Sequence, residues 1–340
     1  MRSGNKIWST VVDYFLILSA VIGVGFASGK EVYFFFFRFG EMSFVGLMLF
    51  GLLYVYLFLI VQHINRKLEI KSYSEFNAKL FGKFCKITNV VMLINFIITS
   101  AGMLAGANYL FQILTGKNLI LVPQILSLLT FFILLGGINK IRIVADIIVP
   151  IMLVVIVINS LKNLTPINLN FPIVKSGVVM AIWYALLFGV NNFVAALPVL
   201  VQSPLKSRGR VVAVVTICVV ILLNILVLAN NNFSTQMPMF ELSKNVSISF
   251  HYVYFATIVF ALFSTLIICS FNASQILSKE RSVFVCLSVV ILNLILSNLG
   301  YDFIVEYLYA FSGITSGIYV ALLIVLISIK LIKNKKSKIK

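Results

Sequence analysis

A glycine-rich segment interrupts the first long apolar run of this chain. Gly23 to Gly29 reads GVGFASG, and Lys30 and Glu31 follow it directly. A glycine in a helix interior costs about 1 kcal/mol relative to alanine, so the sequence predicts that a membrane helix opens here. Inside a bilayer, opened backbone is tolerated only where protein or a watery cavity satisfies its peptide groups. The segment therefore predicts a non-covalent binding site for a solute or an ion.

The freed peptide groups indicate what such a site could bind. The backbone amides of Val24 to Ala27 would cap the outer half of the broken helix and carry partial positive charge. This charge suits a carboxylate on the solute. Lys30 and Glu31 could also pair with each other locally.

A second unusual segment lies in the sixth apolar run. Tyr184 to Leu200 contains Gly189, Asn191 and Asn192 near its middle, and Pro198 near its far end. Such segments at corresponding positions of two halves indicate a site between them; the alternative is that they only permit close helix packing. On the first interpretation, the candidate substrate-binding residues are Gly23, Gly25, Phe26, Ala27, Ser28, Tyr184, Phe188, Asn191 and Asn192.

Two carboxylates, Asp13 and Asp146, fall within predicted spans. Ionisable side chains at such positions are candidates for a functional role, here the carrying of a coupling proton. The alternative is a structural ion pair with Lys6, Lys140 or Arg142.

Enzyme and metal motifs do not occur. The sequence has no phosphate-binding loop, no zinc-ligand spacing and no nucleophile motif, and its four cysteines are scattered. We expect no enzymatic activity and no cofactor beyond a possible sodium ion.

The composition is that of an integral membrane protein. It is 61% hydrophobic and 11% charged, with a mean hydropathy of +1.08, and runs of about 17–25 apolar residues predict membrane helices. Ten spans are predicted, the first of them broken: Trp8–Phe37, Met42–Gln62, Ile87–Leu114, Leu119–Leu135, Ile143–Leu161, Val178–Val201, Val211–Leu228, Val253–Phe271, Val283–Leu299 and Phe303–Ile329.

The basic residues favour one orientation. With the N-terminus inside, 21 of the 27 lysines and arginines fall in inside segments, as expected for cytoplasmic loops. The net charge of +17 therefore reflects topology and not nucleic-acid binding. We expect a multi-pass protein of a bacterial cell membrane with both termini cytoplasmic, and a basic tail at 330–340 that contacts anionic lipid.

The ten spans divide into two equal sets within one membrane domain, 1–340. Residues 8–161 hold five spans and residues 178–329 hold the other five. Because five is odd, the second set starts on the opposite side of the membrane, so an inverted repeat is predicted.

The stretch VIGVGFASGKE and the aromatic run after it resemble the first helix of YkvI-type bacterial membrane proteins, of the amino acid–polyamine–cation (LeuT-fold) superfamily. The likeness is best over residues 22–37 and recurs at 184–200. It implies a five-plus-five inverted repeat with helices one and six unwound at mid-membrane, and alternating access around them.

The resemblance also implies an ion site and an outer gate. The sodium ligands would be the carbonyls of Ser19, Ile22 and Ala261 and the hydroxyls of Ser264 and Thr265. The last three share one helix face, and hard cations prefer oxygen ligands. The gate would pair a basic residue with an acidic one, and its candidates are Lys30, Asp302 and Glu306.

Together these features predict an all-α polytopic protein that acts as an ion-coupled symporter of an amino acid or similar small organic solute. Its partners would be the lipid bilayer and that solute. The alternative is a membrane receptor of the same fold that senses a nutrient without moving it.

Overall fold

The computed structural model describes residues 2–70, 72–117, 119, 121–164, 166–172, 177–231, 237–278 and 282–337, with side chains in the same ranges apart from residues 2–10, 12, 24, 305, 306, 309, 310 and 330–337. The described part contains helices and no strands. The α-helices are α1 (Arg2–Val21), α2 (Val24–Ser28), α3 (Lys30–Phe35), α4 (Met42–Lys67), α5 (Tyr73–Phe81), α6 (Cys85–Thr115), α7 (Leu121–Asn163), α8 (Val178–Gln202), α9 (Ser207–Asn231), α10 (Pro238–Leu242), α11 (Ile248–Leu277), α12 (Val283–Ser297), α13 (Tyr301–Phe303) and α14 (Tyr309–Ser337).

Helices α1, α2 and α3 are one membrane helix broken twice, as the glycine segment predicts. The Gly23 amide bonds to the Val21 carbonyl at 3.1 Å and not to the Ser19 carbonyl one turn back. The second break is at Gly29, whose φ of +79° lies in the left-handed region that glycine adopts without a steric penalty. The first apolar run is therefore three helices in series.

Helix α8 lacks the interruption that the sequence predicts in the sixth span. It runs from Val178 to Gln202 as one α-helix, so the expectation that helix six is broken is wrong. Gly189 provides close packing instead, because a side chain there would lie 3.3 Å from the Phe50 ring of α4. Asn192 donates to the Phe188 carbonyl at 3.1 Å. The amide thus bonds to its own helix and does not open it.

Helix α7 also departs from the predicted boundaries. The fourth and fifth spans form one 43-residue segment with no loop between them, and only Gly137 (φ 65°, ψ −164°) has non-helical angles. At about 1.5 Å per residue, 43 residues would extend roughly 64 Å, twice the hydrocarbon thickness of about 30 Å. Two helices therefore meet at Gly137, where the chain changes direction.

Short helix α5 lies in a stretch that the sequence assigned to a basic inside loop. Ser72 caps it by accepting a hydrogen bond from the Glu75 amide at 3.3 Å. On its buried face, the Asn77 side chain accepts a hydrogen bond from the Tyr319 hydroxyl at 2.7 Å. The hydrophobic pattern of nine residues is too short to show this helix in advance.

The long helices form two groups. In one group, α1 and α4 each pack on α8 and α9, and in the other, α6, α7, α11 and α12 pack against one another. Contacts of α1 with α7 and α11, of α2 with α11, and of α14 with both α6 and α8 join the groups. The broken first helix therefore lies at the junction between them.

Large apolar side chains face outward along most of these helices. Val179, Ile248 and Phe284 are each more than three-quarters exposed, which in water would leave large unpaired apolar patches. Among the described residues, seven helices are long and apolar enough to cross a membrane. The chain is a multi-pass membrane protein.

Candidate functional site

A small cavity lies where the broken first helix faces α6, α8 and α11. Its volume is about 40 Å³, which is space for about three water molecules. The polar side chains that line it are few and come from four helices. The lining residues are Ala20, Val21, Gly23, Gly25, Glu31, Thr99, Met103, Asn191, Asn192, Ala195 and Thr265.

Glu31 supplies the negative charge of this cavity. Its side chain turns back from the first turn of α3 and packs on Gly25 of α2, so that a β-carbon on Gly25 would collide with the Glu31 carboxyl group. The side chain is half-buried. None of the three ion pairs in the described residues includes Glu31. The carboxylate therefore faces the cavity with no basic side chain within 4 Å in that part of the chain.

Thr265 faces the first break. A β-carbon on Gly23 would lie 2.6 Å from the Thr265 hydroxyl oxygen, so only glycine allows α11 to approach this closely. The hydroxyls of Ser264 and Thr265 both donate to the Ala261 carbonyl, at 3.0 and 3.1 Å. Their oxygen lone pairs are left to accept or to coordinate.

The first break also frees a carbonyl near the end of α1. Because the Gly23 amide bonds to Val21, the Ser19 carbonyl loses its helical donor. The Ser19 hydroxyl itself donates to the Leu16 carbonyl at 2.8 Å. The predicted ion-binding residues Ser19 and Thr265 thus come from helices that pack together at the break.

The two asparagines of α8 present different groups. The Asn191 side-chain oxygen accepts from the Ser312 and Ser316 hydroxyls of α14 at 2.9 and 3.2 Å. Its amide nitrogen is then the group left for a ligand. Asn192 uses its nitrogen on the Phe188 carbonyl, so its oxygen remains as an acceptor.

The predicted aromatic residues lie beside the cavity and not in its lining. Phe26 and Phe188 are fully buried and contact each other, with ring centroids 5.6 Å apart. Tyr184 packs on Phe34 and under the Arg38 guanidinium, whose central carbon lies 4.1 Å from the ring centroid. These rings form a hydrophobic cluster on one side of the site.

Ala27 and Ser28 of α2 are also fully buried. The Ala27 carbonyl accepts from the Tyr254 hydroxyl at 2.7 Å, and the Ser28 hydroxyl accepts from the Lys30 amide at 3.3 Å. Both residues hold α2 in place. Of the predicted substrate-binding residues, the cavity brings together Gly23, Gly25, Asn191 and Asn192.

The carboxylates of Asp13 and Asp146 lie outside the cavity lining. Asp13 is 4% exposed, and its carboxylate lies 3.3 Å from the Arg142 guanidinium of α7. This is the ion-pair arrangement that the sequence allowed as an alternative. Asp146 is half-buried on α7 and does not line the cavity.

Of the gate candidates, Lys30 lies with its ammonium nitrogen 4.7 Å from the centre of the Tyr301 ring. Asp302 is exposed and adjacent to Tyr301 in sequence. The Glu306 side chain lies outside the described residues. Lys30 is therefore directed towards the start of the last span, where the gate is expected.

Glu31 is the functional candidate that our sequence reasoning missed. The signal was present, since a carboxylate directly after a helix break inside an apolar run is a functional candidate by default. On sequence grounds, Glu31 was named only as a local partner for Lys30. Thr99, Met103 and Ala195 gave no such signal, since only helix packing brings them to the break.

The comparison with curated proteins supports the resemblance seen in the sequence. No protein-family model matches the chain. The chain is 31% identical over 141 residues to the uncharacterized membrane protein YkvI of Bacillus subtilis (strain 168). The match covers 41% of each chain, less than half of the relative's length. The likeness to YkvI-type proteins is confirmed.

Solved structures identify the fold. The chain superposes on a sodium-coupled sialic acid symporter, in a substrate-bound outward-open state, with a TM-score of 0.69, 14% identity and coverage of 94% of this chain and 78% of that one. Mhp1, a nucleobase-cation-symport-1 family transporter with bromovinylhydantoin bound in a closed conformation, matches with a TM-score of 0.52 and 13% identity over 90% of this chain and 76% of its own. The chain thus has the helical fold of these transporters.

Proposed function

We propose that this chain, a YkvI-like membrane protein with the fold of ion-coupled symporters, is a secondary transporter. It would move an amino acid or a similar small organic solute by alternating access. The observation that carries the proposal is the cavity at the doubly broken first helix, which places a carboxylate, two hydroxyls and two amides between two groups of helices. Ligand sites of secondary transporters are built at such breaks.

The junction supports movement as well as binding. The broken helix belongs to the group of α4, α8 and α9, whereas Thr99 and Thr265 come from the other group. A ligand in the cavity therefore touches both groups at once. Rocking of one group against the other would open the cavity to one side and then to the other.

We further propose the inverted repeat of five and five helices. Separating α7 at Gly137 makes ten crossings when α1 to α3 are counted as one. Each half then contributes its first two crossings to one group and its next two to the other. The fifth and tenth crossings also match, because α7 packs on α1 and α14 packs on α8.

Sodium is proposed as the coupling ion. A hard cation prefers oxygen ligands. Such ligands beside the break are the hydroxyls of Thr265 and Ser264 and the carbonyl of Ser19. In the described arrangement the Ala261 carbonyl already accepts two hydroxyl hydrogens, so the two hydroxyl oxygens and the carbonyls of the first helix are the ligands we favour. Asp13 and Asp146 remain the candidates for proton coupling.

Counterflow in proteoliposomes tests transport directly. Vesicles loaded with unlabelled amino acids should take up the same labelled amino acid against its concentration gradient, with sodium or choline as the main cation. A receptor would bind the labelled amino acid without this exchange. Saturable binding without counterflow for every amino acid bound would therefore contradict the proposal and favour the sensor alternative.

A further inference from the structure

We infer that the central cavity recognises a positively charged nitrogen, and that Glu31 is the group that binds it. The inference rests on the proposed transport function and names the class of solute: molecules that carry a primary ammonium group, with or without a carboxylate. It reverses the preference expected from the sequence, in which freed amides of the glycine segment would bind a solute carboxylate.

The hydrogen-bonding groups of the cavity carry this inference. The hydroxyls of Thr99 and Thr265 donate their hydrogens to carbonyls of their own helices, and Asn192 donates one of its two amide hydrogens to the Phe188 carbonyl. Each of the three therefore offers an acceptor oxygen. With the Glu31 carboxylate, four of the five polar side chains in the lining offer acceptors, and the side-chain donors left are the Asn191 amide and the second N–H of Asn192.

The charge of the lining favours the same class of ligand. No lysine, arginine or histidine lines the cavity among the described residues. The ammonium of neighbouring Lys30 lies over the Tyr301 ring, so that it acts on Glu31 through space but does not line the cavity. The Glu31 charge in the lining would repel a carboxylate ligand and attract an ammonium group.

The helix that would have held a carboxylate is also short. Helix α2 has five residues, and its Ala27 amide is already bonded to the Gly23 carbonyl at 3.2 Å. The amides of Val24, Gly25 and Phe26 remain, but they lie on a helix of little more than one turn, whose aligned peptide dipoles are few. By contrast, an ammonium group donates three hydrogen bonds, which matches an acceptor-rich cavity with room for about three waters.

Ethylammonium chloride is a suitable probe, because it carries the charged group without a carboxylate. The full-length protein, purified in detergent, is heated with increasing ethylammonium chloride at constant ionic strength, with choline chloride as the balance. Choline has no N–H donors. We expect a saturable rise in melting temperature with ethylammonium, because a ligand of the folded state stabilises it.

Variants of two glutamates then test whether Glu31 causes the rise in melting temperature. In Glu31→Gln we expect the apparent affinity to fall at least tenfold, and in Glu31→Asp to fall less. Glu241→Gln is the matched control, since Glu241 pairs with Lys244 at 3.5 Å outside the cavity, and it should respond like the unaltered chain. The inference is overturned if ethylammonium gives no rise, or if the rise persists in Glu31→Gln. It is also overturned if sodium chloride alone gives a Glu31-dependent rise, since the ligand is then the metal cation.

A transport assay distinguishes failure of this inference from failure of the proposed function. Amino acid counterflow that runs equally well in Glu31→Gln would overturn the ammonium site and still support a transporter. Glu31-dependent binding of ethylammonium in a protein that exchanges no bound amino acid would retain the site and contradict transport.

Discussion

The carboxyl group of Glu31 packs directly on the α-carbon of Gly25, where a single methyl group would occupy the same space. Gly25→Ala should therefore displace Glu31 from the cavity without altering any charge. Ligand affinity in equilibrium binding should fall at least tenfold, while the protein still folds. Gly313→Ala is the control, because nothing lies within 4 Å of a β-carbon there. Unchanged binding in Gly25→Ala would mean that Glu31 has no role in the site.

Thr265→Ala should remove the sodium response. If the Thr265 hydroxyl ligates sodium, saturating sodium at about 100 times its dissociation constant stabilises the folded chain by roughly 2.7 kcal/mol, and the variant should lose most of this. The readout is the melting temperature in sodium chloride against choline chloride. Thr257→Ala serves as control, since Thr257 is buried on the same helix and bonds to its own backbone at 2.9 Å. An equal sodium response in both variants would count against the site.

The Asp13–Arg142 pair should respond asymmetrically to neutralisation. The Asp13 side chain is 5% exposed, whereas that of Arg142 is 30% exposed. Arg142→Gln leaves a buried charge without its partner and should cost about 3 kcal/mol, but in Asp13→Asn the guanidinium can reach water and the cost should be smaller. The double variant should be more stable than Arg142→Gln alone. Equal losses of stability in chemical denaturation would contradict this asymmetry.

Gly137 should be far less replaceable than Gly313 of α14. Its φ of 65° and ψ of −164° lie in a region that is essentially restricted to glycine, where other residues cost about 1–3 kcal/mol. Gly313→Ala is the comparison, because nothing lies within 4 Å of a β-carbon there. The melting temperatures of the two variants test this prediction, and equal values would contradict a strained turn at Gly137.

Arg210 should be needed for folding of the end of α8. It is 1% exposed and donates to the carbonyls of Phe58, Leu200, Ser203 and Leu205 at 2.8–3.2 Å. Arg210→Met removes a charge-assisted donor from all four and should destabilise the chain by about 3 kcal/mol or more. Arg208→Met, at an exposed position, should change the melting temperature little. A similar small change in Arg210→Met would show that water satisfies these carbonyls.

Comparison of the two predicted interruptions shows how far local sequence predicts a helix break. Three glycines within seven residues lower the stability of the helix, and Gly29 adopts a left-handed turn, so the break of the first span follows from composition. In α8, Gly189 is a single glycine, and its neighbours Asn191 and Asn192 have hydrogen-bond partners on α14 and on α8 itself. Whether an asparagine opens a helix depends on partners that only the fold supplies.

The all-helical membrane class, the interruption of the first span and most span positions follow from the sequence alone, because hydrophobic length and glycine content act within one segment. The tertiary structure alone decided that α8 stays whole, that α7 turns at Gly137 without a loop and that Asp13 pairs with Arg142. It also decided that Glu31 turns back onto Gly25 beside Thr99 and Thr265. These outcomes depend on contacts between helices far apart in the chain. The hydrophobic periodicity of one segment does not predict which side chain of another helix will contact it.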